Sequence, residues 1–218
     1  MHRILLIIGL LPILAALIAR QAARGRMRRG AGGRGNRLVL AGALTAEDLA
    51  REVLRVGGAE AEVVAEGNGW FPAMRGPLKI PADCAGATDA VSLGIAVQEA
   101  GLRLLAGRSR QSVESRMQVL RFGAGAPAMS MLIAIFAVFA MRGAIGWILA
   151  GVVLVSGFAC LVQLLGTTVE LHAATLGAAA LRKSGRIHRV SDFEAIESAA
   201  RAAAWRRALP ASLAWILP

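Results

Sequence analysis

Gln98, Glu99 and Leu102 stand in the spacing of a zinc-hydrolase helix, with two of the three residue types wrong for the chemistry. Positions 98 and 102 are four apart, so on a helix their side chains share one face and residue 99 lies beside them. In an H-E-x-x-H helix the flanking imidazoles bind Zn²⁺ and the carboxylate activates the metal-bound water. Here an amide and an alkyl chain occupy the two ligand positions, and the Glu remains. Further along, Glu170 and His172 add a second carboxylate and an imidazole. A replacement metal site made of Glu99, Glu170 and His172 needs a helix end or a bend at that point, because positions two apart on a regular helix do not share a face. Without one, Gln98 and Glu99 are expected to form a buried hydrogen-bonded cluster with Glu170 or His172.

The stretch 92–106, SLGIAVQEAGLRLLA, reads as the helix that carries the first three residues, with Asp89 opening it. Its surroundings are those of a membrane protein. The 218-residue chain is 56% hydrophobic with a mean hydropathy of +0.57, too apolar for a soluble domain. The net charge of +11 is clustered: seven arginines lie between Arg20 and Arg37, directly after the first apolar run. Arginine beside an apolar run suits anionic lipid headgroups and cytoplasmic retention. No aromatic residue interleaves the cluster, which argues against nucleic acid as a partner. Two cysteines, Cys84 and Cys160, make neither a disulfide framework nor a cysteine metal site.

In chain order, residues 1–19 read as an uncleaved transmembrane anchor. A cleaved signal peptide would carry its positive charge before the apolar run, whereas one Arg precedes it and the cluster follows. Residues 20–40 read as a flexible basic juxtamembrane linker. Thr45 and Asp48 form a capping-box pattern that opens a helix with Leu49, Val53, Leu54 and Val56 on its apolar stripe, and Gly57-Gly58 ends it. Residues 62–66 and 78–80 read as two strands of a small hairpin around the turn Gly67-Asn68-Gly69, with Trp70 and Phe71 near the turn and Pro72, Pro77 and Pro81 excluding helix. Arg103, Arg108, Arg110, Arg116 and Arg121 keep the next segment on the cytoplasmic side.

Residues 123–141 and 143–169 carry no charge before Arg142 and after it, and form a transmembrane hairpin that turns at Arg142-Gly143. Ser191 and Glu194 read as a second capping box, opening a helix whose Arg201, Arg206 and Arg207 face headgroups or solvent. The tail, 208–218, is apolar but too short to span, and is expected in the interface or packed on the hairpin. Gly143, Gly146, Ala150, Gly151, Gly157 and Ala159 are small enough to admit a neighbouring helix, from this chain or from another.

In this order the chain resembles the bacterial membrane-anchored neutral zinc metallopeptidases, over about residues 38–205. The motifs that carry the resemblance are GALT-x-x-x-x-A-R-x-x-L at Gly42 to Leu54, AVSLGIAVQEAG at Ala90 to Gly101, and VELHA at Val169 to Ala173. The resemblance implies that the family's two zinc-binding His fall at Gln98 and Leu102, its catalytic Glu at Glu99 and its third ligand at Glu170. Leu102 cannot coordinate a metal, and the neutral amide of Gln98 is a poor Zn²⁺ ligand beside imidazole. Without the metal, nothing lowers the pKa of the catalytic water.

The expectation is therefore a mainly α membrane protein with an N-terminal anchor (1–19), a basic linker (20–40), a small cytoplasmic α+β metallopeptidase-like region with a degenerate H-E-x-x-H helix (41–122), a transmembrane hairpin (123–169) and a cytoplasmic helical region with an apolar tail (170–218). Its N-terminus lies outside a bacterial inner membrane and its soluble bulk in the cytoplasm. It is expected to be a pseudopeptidase with no cofactor and with relic positions Gln98, Glu99, Leu102 and Glu170. Its expected partners are membrane lipids and another integral membrane protein or multisubunit complex, which it would serve as a scaffold. The alternative is a membrane metalloprotease with a remodelled metal site.

Overall fold

The structure, a computed structural model, describes residues 1–32, 44–59, 61–66, 76–140 and 145–216, with the backbone alone at 28–32 and 215–216. The turn at Gly67 to Gly69, the Trp70-Phe71 pair, Pro72 and the Arg142-Gly143 turn lie outside the described residues. The elements are α1 (His2–Gly32), α2 (Ala46–Val56), β1 (Val63–Ala65), β2 (Leu78–Ile80), α3 (Ala82–Ala85), α4 (Ala90–Arg108), α5 (Arg110–Ala140), α6 (Ile145–Ser184), α7 (Val190–Ala204), a 3₁₀ turn (Trp205–Arg207) and α8 (Ala211–Ile216). The protein is thus mainly helical. Its chain divides into two compact units: Met1–Gln21, Met117–Thr167 and Arg207–Pro218 form one, and Ala22–Arg116 with Thr168–Arg206 form the other.

Four helices are long and apolar enough to cross a membrane, and burial separates one from the rest. The most apolar windows of α1 and α5 are 11% buried and that of α6 is 33% buried, whereas that of α4 is 78% buried. The apolar side chains of α4 are therefore spent on the protein's own core. Those of the other three, Ile7, Leu11, Ile133, Phe136, Leu149 and Phe158 among them, are left outward.

In the larger unit, Thr45 caps α2 by accepting from Asp48 N and donating to Asp48 Oδ2 at 2.7 Å. Asp89 caps α4 by accepting from Val91 N and Ser92 N. Leu49, Val53, Leu54, Leu93, Val97, Leu181 and Ile196 meet in one core around α4. Two glycines let neighbours reach the α4 backbone. A Cβ on Gly94 would collide with Ala199 and Ala200 of α7, and one on Gly101 with the Ala173 carbonyl of α6. Gly177 approaches Val97 in the same way.

Several expectations are corrected here. Residues 20–32 are not flexible but continue α1 as helix, since Arg favours helix and Ala23 and Met27 give this stretch an inward face, while 33–40 of the expected linker lie outside the described residues. The two strands pair in parallel, Val63 opposite Leu78 and Ala65 opposite Ile80, so they are not a hairpin. A parallel pair needs a crossover of about a dozen residues between its strands, and residues 67–75 lie outside the described residues. The Ser191–Glu194 capping box is absent. The N-cap of α7 is Arg189, two residues before Ser191, with no side-chain cap, and Ser191 Oγ instead donates to Asp192 Oδ1 at 3.3 Å. α6 runs on as one helix to Ser184, and the two compact units divide within it, at Thr167/Thr168.

The smaller unit brings α8 and the apolar parts of α1, α5 and α6 together. Gly9 and Gly157 meet backbone to backbone, so small residues of α6 receive α1, while Gly151 faces open space. Ala16, Cys160, Leu209 and Leu213 form a small core that includes the C-terminal tail. Gln163 donates to Val119 O at 3.3 Å, and Ser212 Oγ to Gly123 O at 3.3 Å.

Candidate functional site

The four positions that the sequence singles out are all buried: Gln98 is 0% exposed, Glu99 and Glu170 1%, and Leu102 2%. Gln98 and Glu170 come together across α4 and α6, with Gln98 Nε2 donating to Glu170 Oε2 at 3.4 Å. Gln98 and Glu170 thus meet as expected, and Glu99 pairs with Arg206. The Gln98 Oε1 atom has no hydrogen-bond partner among the described residues.

Two arginines supply the charge that buried carboxylates require. Arg116 of α5 donates to Glu170 Oε1 through Nε at 2.8 Å and through Nη2 at 2.6 Å, with both side chains at most 1% exposed. Arg206, in the turn after α7, places Nη2 3.3 Å from Glu99 Oε1 and keeps a quarter of its side chain exposed. The sequence reading had placed Arg206 and Arg207 outward. Arg206 instead reaches a buried carboxylate and Arg207 is 1% exposed, while Arg201 is exposed and pairs with Glu197 as expected of a surface residue. Arg116 is a core residue, 1% exposed.

Leu102 faces a different environment. It packs with Leu105, Val113 and Ala173 in an apolar cluster. His172 is exposed on α6, whereas Glu170 is buried, and α6 is continuous through both. The structure thus does not bring Glu99, Glu170 and His172 together, and no group of three or more His, Cys, Asp or Glu side chains able to hold a metal occurs among the described residues. Cys84 is buried, and burial pushes its thiol pKa up.

The residues present do not fit a zinc ion. Arg116 pairs with Glu170 and Arg206 with Glu99, no imidazole stands at position 98 or 102, and Leu102 is apolar. No family model, curated protein or solved structure matches the chain.

Arg116 and Arg206 are the residues that the sequence reading missed. Arg116 carried a usable signal, because Val113 and Leu120 stand three before and four after it, on the same helical face, and both are buried. An arginine centred on an apolar stripe is a candidate for an internal ion pair. Arg206 had no comparable local pattern, since its partner Glu99 is distant in sequence.

Proposed function

We propose that this chain is a catalytically inactive relative of the membrane zinc metallopeptidases, retained as a structural subunit of a membrane protein complex. One observation carries the reading: both carboxylates that the resemblance assigns to catalysis and metal binding are buried against arginines, in a site without nitrogen ligands. A carboxylate that must activate water needs access to it and a metal to acidify it. Glu99 and Glu170 serve as packing charges instead.

The membrane part of the reading rests on the outward apolar faces of α1, α5 and α6. In the proposed topology these faces contact lipid and the N-terminus lies outside the bacterial inner membrane, with Arg24 and Arg26 at the cytoplasmic headgroups. The scaffolding role follows from a fold kept without its chemistry, together with exposed apolar helices and a small-residue position, Gly151, that no element of this chain covers among the described residues. Extraction in mild detergent, followed by identification of what co-elutes, tests it. A membrane protein in fixed ratio to this chain is expected, and a lone monomer would remove the scaffolding role.

A further inference from the structure

We propose that the open cavity between α1, α4 and α7 of the larger unit binds the headgroup of an anionic phospholipid. Its volume is about 520 Å³, inside the range of about 300–1,000 Å³ usual for small-molecule sites. Met27 of α1, Val91 of α4 and Ala195 of α7 give it an apolar wall, and Arg26 and Ser198 are its polar side chains. A cation beside an apolar wall fits a ligand that joins a negative phosphodiester to a carbon skeleton. No carboxylate lines the cavity among the described residues, so the ammonium of a zwitterionic headgroup would find no partner there.

The charge on Arg26 is available for a ligand. Among the described residues Arg26 is exposed and has no ion-pair or hydrogen-bond partner, and the same holds for the Ser198 hydroxyl. Two other cavities differ on this point. In one, Arg51 pairs with Glu47 and Asp48, and Arg55 with Glu52. In the other, Arg182 lies over the Phe193 ring and the Glu197 carboxylate shares the wall with the cations.

The course of α1 favours a lipid over a free phosphate, a step that rests on the membrane placement proposed above. Ile18 is the last exposed large hydrophobic of α1 among the described residues, and Arg26 follows about 12 Å later along the helix. Side chains on a helix lean toward its N-terminus, so the Arg26 stem reaches back toward Ile18. The headgroup layer extends about 5–8 Å beyond the hydrocarbon on each side, which that reach meets.

Native mass spectrometry of the full-length chain in an uncharged detergent, titrated with phosphatidylglycerol, phosphatidylcholine or inorganic phosphate, tests the proposal. One phosphatidylglycerol per chain is expected to bind at least about tenfold more tightly than phosphatidylcholine. Arg26→Gln removes the charge and Ala195→Phe fills the cavity, and each is expected to erase that preference. Arg24→Gln, two positions away and on a different face of α1, is expected to keep it. Equal binding of the two lipids by the wild type, equal losses in Arg24→Gln and Arg26→Gln, or inorganic phosphate binding as tightly as phosphatidylglycerol would each overturn the proposal. If Ala195→Phe does not fold, the comparison of Arg26→Gln with Arg24→Gln still decides. Release of the chain from membranes by alkaline carbonate would overturn the membrane placement itself, whereas a chain that stays in the membrane pellet and shows no lipid preference overturns the cavity assignment alone.

Discussion

Arg116→Met is the substitution that most sharply separates an ion-paired core from a merely polar one. Arg116 and Glu170 are at most 1% exposed, and the guanidinium gives Glu170 Oε1 hydrogen bonds of 2.8 and 2.6 Å. Methionine fills much of the volume but leaves the carboxylate without that charge, and breaking a buried pair in this way costs about 3–5 kcal/mol. For a chain of this size each kcal/mol shifts the melting temperature by about 2–4 °C, so a drop of about 6–20 °C is expected. Removing both charges reverses most of it, because a buried pair replaced by apolar residues of similar size is often neutral or better. The assay is thermal unfolding in detergent, followed by circular dichroism, of the wild type, Arg116→Met, Glu170→Leu and the double variant. A double variant no more stable than Arg116→Met would refute the reasoning. A single-variant shift under about 2 °C would do the same, since it would mean that Glu170 finds water or another cation.

Three further outcomes follow from the packing and the caps. Gly101→Ala forces a methyl group into the Ala173 carbonyl and is expected to cost about 1–3 kcal/mol, whereas Gly151→Ala, with nothing nearby, changes stability by less than about 0.5 kcal/mol; melting curves of the two compare them directly. Thr45→Ala loses the α2 cap and is expected to lower stability by about 1 kcal/mol, with Thr45→Ser nearly silent by the same measurement. Asp89 sets a pH dependence. Burial acts to raise its pKa, but hydrogen bonds from the Ser92 hydroxyl and from the Ser92 and Val91 backbone N–H groups outweigh this and hold it below the usual carboxylate range. A depressed folded pKa stabilises at pH values above the unfolded value of about 3.9 and loses that contribution as pH falls through the folded value. The stability gap between wild type and Asp89→Asn is therefore expected to be constant above about pH 5 and to narrow below about pH 4, and a gap independent of pH would contradict the assignment.

Local patterns carried the parts of this fold that local forces determine. Thr45 with Asp48, and Asp89 before an apolar run, are caps whose partners lie within a few residues, and both helices start where those residues stand. Hydropathy located the long helices, because runs such as those of α5 and α6 admit few alternatives. It did not reveal that α4, equally helical and also apolar, is internal, which depends on α2, α6 and α7 surrounding it. The strand direction was illegible for a related reason: three-residue strands have too few side chains to fix an orientation, and only the core against which Val63, Leu78 and Ile80 pack decides it. The arginines misled most. Counting them as surface charge assumes exposure, and Arg116, Arg206 and Arg207 are spent within the protein, two of them on carboxylates far away in sequence.

Metal content bears most directly on the central claim. Full-length wild-type chain, extracted in mild detergent and equilibrated with zinc before extensive dialysis, is expected to retain far less than one zinc per chain by elemental analysis, with Glu170→Ala indistinguishable from it. One zinc per chain in the wild type, lost on Glu170→Ala, would contradict the account and make Glu170 a working ligand.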